Sequence, residues 1–109
     1  MASQAYLKIR EAIQKKQQII ATTRNDGLAR EMCPHTIGLS KRGDEQALFY
    51  QFGGRSKHGL DPDGSPKNWR CIPIDNLSEV SSREGEWHSA GRDTRPQRCV
   101  QRIDLEVAY

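Results

Sequence analysis

The sequence predicts a mainly β domain with one N-terminal helix, its strands curling into a small antiparallel barrel. Three observations carry that expectation. An apolar stripe at helical spacing occupies residues 4–16. Turn-forming residues then cut the chain into short β-branched and aromatic runs. Residues 100–109 alternate apolar and polar side chains, the period of a strand with one buried face.

In the helix, Tyr6, Ile9 and Ile13 recur on one face with Leu7 and Ala12 beside them, and Ser3 stands at the N-cap position. The stripe is too short to hold a helix alone, so it must dock. Residues 18–23 are rich in β-branched side chains and read as a strand. Asn25-Asp26-Gly27 is a hairpin turn, because Asp-Gly accepts positive φ angles. Arg30-Glu31-Met32-Cys33 begins the return strand, and Pro34 puts that strand at an edge or bends it. Lys41-Arg42-Gly43-Asp44 is a second hairpin. Residues 46–52, apolar on both faces, form a central or bent strand that Gly53-Gly54 ends.

Residues 55–68 form a long polar loop, of the kind that often carries function. Trp69-Arg70-Cys71-Ile72-Pro73-Ile74 is a further strand with an edge-type proline. Residues 75–80 continue it or make a tight helical turn, and residues 89–98 are a second loop with Arg92, Arg95 and Arg98. Ile103, Leu105, Val107 and Tyr109 mark the buried side of the last strand. Closing such hairpins into a barrel would hide the sheet edges.

A chain of 109 residues is one domain. Its 35% hydrophobic content is low for a globular protein and implies a thin core with long loops. The net charge of +3 is mild, but Lys8, Arg10, Lys15, Lys16 and Arg24 crowd the N-terminal segment against the single acid Glu11. That face can meet phosphates or simply be solvated. Three widely spaced cysteines, Cys33, Cys71 and Cys99, imply reduced thiols and a cytoplasmic protein. No apolar run approaches a membrane span, and no signal core precedes the helix, so no membrane partner is expected.

The chemistry-bearing constellations point to binding rather than to a stand-alone enzyme. Cys33 and His35 sit two apart on one side of a strand, and His58, Cys71, His88 and Cys99 complete four ligands only in principle. The paired short spacings of zinc sites are missing, so neither metal nor cofactor is expected. Gly53-Gly54-Arg55-Ser56-Lys57-His58-Gly59 lacks the spacing and following helix of a phosphate loop. Exposed aromatics interleaved with arginines suit nucleic acid better: Tyr50, Trp69 and Trp87 beside Arg55, Lys57 and Arg70. Each aromatic has a plain alternative as core. Arg70, between Trp69 and Ile72, needs either an internal acid such as Asp75 or Glu79, or an external anion.

The order of elements resembles a WYL domain, the Sm/SH3-like small barrel of bacterial regulators. The resemblance rests on four stretches: Ala12-Ile13 through Ile19-Ile20-Ala21; Arg30-Glu31-Met32-Cys33-Pro34; Ala47-Leu48-Phe49-Tyr50-Gln51-Phe52; and residues 69–80, Trp69-Arg70-Cys71-Ile72-Pro73-Ile74 through Val80. It covers residues 5–81. The Trp-Tyr-Leu signature is absent, and Asn76 stands where the family carries arginine. The resemblance implies one domain, with a helix over 4–16, a barrel over 17–81 and a strand extension over 82–109. It implies a regulatory module that senses nucleotides or nucleic acid through Arg30, Arg70 and Tyr50, with Arg55 and Lys57 nearby. The rival readings are a protein-interaction or homodimer module that pairs through its C-terminal strand, and a small metal- or cysteine-dependent enzyme using Cys33, His35 and His88.

Overall fold

The computed structural model describes residues 3–55, 59–62, 64–90 and 99–107. One helix, α1 (Gln4–Lys15), precedes six strands: β1 (Gln18–Thr23), β2 (Leu28–Leu39), β3 (Glu45–Gly54), β4 (Trp69–Pro73), β5 (Leu77–Arg83) and β6 (Arg102–Glu106). The Ser3 hydroxyl caps α1 by accepting from the Tyr6 N–H at 3.1 Å, and the helix stops at Lys16 in the left-handed conformation, φ 52°.

All strand pairings are antiparallel, in the order β4-β3-β2-β1-β5, with β6 added on β2. The expected barrel does not close: β4 and β5 end the path without pairing to each other. The 3₁₀ turn Ile74–Asn76 instead carries the chain from one edge of the sheet to the other. Asn76 meets the β1–β2 turn there, its carbonyl accepting from the Arg24 N–H at 2.7 Å.

Pro34 lies in the centre of the sheet, not at an edge. The first half of β2 pairs with β1 up to Met32 and the second half pairs with β6 from Thr36 onward. Pro34 falls in the gap between those two partners, where the β2–β3 register also shifts. A missing N–H is tolerated there because no regular ladder is interrupted. Both expected hairpin turns form, with Gly27 at φ 68° and Gly43 at φ 89°.

The main core lies under α1. Tyr6, Ile9, Ala12 and Ile13 pack against Ile19, Ala21, Met32, Ile37, Ala47, Phe49, Ile72, Ile74, Leu77 and Val107. Leu7, expected beside the stripe, is 54% exposed because it turns away from the sheet. The expected alternation in the last strand is only partly used: Val107 is buried, but Ile103 is 51% exposed. β6 touches the sheet along one edge, so its polar and apolar sides are not sorted by burial.

The thiols differ from expectation. Cys71 and Cys99, 28 residues apart, form a disulfide with their Cα atoms 6.2 Å apart, and Cys33 is a buried thiol. Spacing in sequence could not reveal this, because it is folding that brings the middle of β4 and the approach to β6 together. Among the described residues no helix is long and apolar enough to cross a membrane.

Candidate functional site

Strand register sorts the proposed binding residues onto opposite faces. Cys33, Tyr50 and Trp69 stand opposite one another across β2, β3 and β4, as do Pro34, Phe49 and Arg70 in the neighbouring row. Successive strand residues point to opposite faces. Arg70 therefore shares the helix-side face with Phe49 and Gln51, while Tyr50 belongs to the other.

On the helix side the apolar core gives way to a polar end beyond α1. Arg30, 7% exposed, is tied on three sides. Its Nε donates to Thr23 Oγ1 at 3.1 Å, Nη1 to Gln51 Oε1 at 2.9 Å and Nη2 to Asp26 Oδ2 at 2.9 Å. Asp26 also accepts from the Thr23 hydroxyl and the Leu28 N–H, and these bonds hold its carboxyl below the usual range, with Arg30 adding to them. Gln51 passes the network on, its Nε2 donating to the carbonyls of Gly53 and Arg55, both at 2.9 Å. Arg30 thus binds the β1–β2 turn to the end of β3.

Arg70 is half-buried at the same end. Its Nη1 donates to the carbonyl oxygens of Lys67 at 2.7 Å and Trp69 at 3.1 Å. Burial, and then the like charge of Arg30, push its guanidinium below the ordinary value, while Asp61 pulls the other way. Arg55 and Lys67 are exposed nearby in sequence. Lys57, His58, Arg92, Arg95, Arg98 and Tyr109 lie outside the described residues.

Tyr50 is wholly buried. Its hydroxyl donates to the Ser65 carbonyl at 2.9 Å and accepts from the Gly64 N–H at 2.7 Å, which fastens the loop to the sheet. Asn68, also buried, holds the same loop by accepting from the Asp61 N–H at 3.0 Å and donating back to the Asp61 carbonyl at 2.9 Å. Neither Gln51 nor Asn68 is among the site residues that the sequence points to. Gln51 had a signal: it stands between Tyr50 and Phe52 in an otherwise apolar strand. Asn68, in a polar loop, had none.

The opposite face is a cluster of rings. His35 is 1% exposed, with its ring centroid 4.8 Å from Trp69 and 4.9 Å from Trp87. Trp69 in turn meets Tyr50 edge-on at 5.1 Å. Residues 84–90 cover this cluster. The His88 N–H donates to Cys33 Sγ at 3.2 Å, His35 Nε2 donates to the His88 carbonyl at 3.2 Å, and the His88 ring stacks on Phe52 at 4.1 Å. Gln18 Nε2 secures the segment further through the Glu86 carbonyl at 2.7 Å. Burial holds the His35 pKa down to about 4, so the ring is neutral at pH 7. Among the described residues no group of three His, Cys, Asp or Glu side chains converges as a metal site. Cys33 and His35 instead fasten the covering segment.

An open groove of about 600 Å³ lies elsewhere, between α1, the β2–β3 turn and β6, lined in part by Tyr6, Leu39, Glu45, Ile103 and Asp104. Comparison with protein-family models, with curated proteins and with solved structures finds no match to this chain.

Proposed function

We propose that the chain is a binding module, not an enzyme, and that it takes a nucleotide or nucleic acid by its phosphate at the polar end of the helix-side face. Arg70 is the contact residue and exposed Arg55 part of its rim. Arg30 and Tyr50 serve as positioning residues, one fixing the turn and β3, the other fixing the loop. The observation that supports this is the placement of Arg70: a half-buried guanidinium oriented by two backbone carbonyls, on the same face as a second guanidinium whose charge it feels. An anion arriving there would relieve that repulsion and gain charge-assisted bonds. The WYL-like pattern of Arg30 and Arg70 adds the expectation of a regulatory role in a bacterial cytoplasm.

Fluorescence anisotropy with a labelled oligonucleotide, and competition by a mononucleotide, at low and moderate salt, test the reading. Arg70→Ala is expected to cost about 2–3 kcal/mol of affinity. Arg55→Ala is expected to leave the melting temperature alone and reduce the salt slope by about one. If Arg70→Ala lowers the melting temperature and leaves the affinity unchanged, the guanidinium is structural and the phosphate reading fails.

A protein partner is the second reading. It is favoured by Ile103, half exposed on β6 at the wall of the open groove. It gains ground if neither oligonucleotide nor mononucleotide binds at low salt.

A further inference from the structure

We propose that the Cys71–Cys99 disulfide is a redox-operated latch on β6: its reduction undocks β6 from β2 while the rest of the sheet stays folded. The first ground is where the bond lies. Cys71 stands on the edge strand β4, and Cys99 just precedes β6. In the order β4-β3-β2-β6 two strands lie between β4 and β6, and the bond ties the approach to β6 back to β4. Gln46 of β3 lies with it, its Nε2 donating to Cys71 Sγ at 2.8 Å and to the Cys99 carbonyl at 3.2 Å.

The second ground is how lightly β6 is held otherwise. Arg102, Ile103, Asp104 and Glu106 are all exposed and Leu105 is only half-buried. The ladder to β2 joins four residue pairs and is interrupted by a register shift between Ile37 and Gly38. Backbone approach is close: a Cβ on Gly38 would collide with the Arg102 carbonyl. Beyond the ladder, the hold includes buried Val100 and Val107, Leu105 packed on the core, the Gln101 N–H to Leu39 carbonyl bond at 2.9 Å, the Val107 N–H to His35 carbonyl bond at 2.7 Å, the Thr36 hydroxyl to Glu106 and the Asp104 carboxylate. Asp104 accepts from the Tyr6 hydroxyl at 2.7 Å and from Arg10 Nε at 2.9 Å. The Arg10–Asp104 pair is exposed and weak in water, and Val107 and Tyr6 are the core residues at this edge, whereas β1, β2 and β3 each place several side chains in the core.

The third ground is access, since Cys71 is exposed. A small thiolate attacks Cys71 sulfur, forming a mixed disulfide as Cys99 leaves as the thiolate and takes a proton. A second thiol then releases Cys71 and leaves as the oxidised dimer of the reagent. Two thiols are oxidised by two electrons, and the protein gains two S–H bonds. Loss of the cross-link removes the tether that holds Cys99 to β4, and the undocked population of β6 rises roughly a hundredfold. Residues 36–39 of β2 then become a free sheet edge able to accept an added strand.

Hydrogen-exchange mass spectrometry of the full chain, with and without dithiothreitol, reads the latch directly. The expected result is that the amides of residues 36–39 and 102–106 that bond across the β2–β6 ladder exchange about a hundredfold faster after reduction, while those of 36–39 that bond to β3 keep their protection. Those of β1 keep their protection. The Cys71→Ser/Cys99→Ser variant is expected to show the fast pattern without reductant and no further change with it. Unaltered exchange after reduction overturns the proposal. So does loss of protection throughout the sheet, which would make the bond a staple of the whole fold. Titration of three thiols in the unreduced, denatured protein would remove its premise.

Discussion

The two faces of the sheet are closed by different means. Under α1, Ile9, Ile13, Ile19, Ile37 and Phe49 meet as apolar surface, and their cohesion depends on area rather than direction. On the other face His35, Trp69, Tyr50 and Phe52 are covered by residues 84–90, a segment without regular structure that is fastened by hydrogen bonds to Cys33, His35 and Gln18. The helix side is therefore sensitive to lost volume, and the ring side to lost directionality and to protonation. The candidate anion site sits where the helix-side core ends and its apolar packing is replaced by the Arg30 network.

The largest expected effect tests the apolar side. Ile13→Ala should destabilise the fold by about 2–4 kcal/mol, because Ile13 is 2% exposed in close packing. Urea unfolding measures it; a loss under about half a kcal/mol would mean that α1 does not cap the sheet.

Acidification should act on the ring side. The His35 pKa is depressed to about 4 in the folded state, so the unfolded chain binds the extra proton first. Its contribution is complete above the unfolded value of about 6.5 and is lost as pH falls from there to about 4, amounting to roughly 3 kcal/mol. Thermal unfolding of the native protein and His35→Leu across this window checks the point, since the variant should lack that part of the slope. Parallel curves would show that protonation of His35 does not oppose the closure of this face.

At the polar end, Arg30→Met keeps much of the side-chain volume and removes the charged donors to Gln51 and Thr23. The expected cost is about 2 kcal/mol. A stability unchanged in chemical denaturation would separate Arg30 from the framework and return it to the ligand. The smallest effect belongs to the helix cap: Ser3→Ala should cost about 1 kcal/mol, from the lost bond to the Tyr6 N–H. Circular dichroism melts resolve it, and an unchanged melt would mean that α1 is held by its apolar face alone.

Much of the chain's local structure follows from residue order. The Tyr6, Ile9, Ile13 stripe, Ser3 before it, Asp26-Gly27 and Gly43 in turns, and the apolar run ended by Gly53-Gly54 each obey rules that act over a few residues. Their period, capping and φ preferences therefore determined one helix and a series of antiparallel strands. Only the tertiary structure decided what those elements face. Pro34 reads as an edge or a bend, and only the sight of β1 and β6 sharing one side of β2 decides against the edge. Arg30 and Tyr50 read as ligand groups until Asp26, Thr23, Gln51, Gly64 and Ser65 are seen around them. Cys71 and Cys99 read as separate thiols until β4 and the approach to β6 meet. The physical reason is the same in each case: burial, partner choice and cross-linking depend on distances through space, and local residue order does not set them.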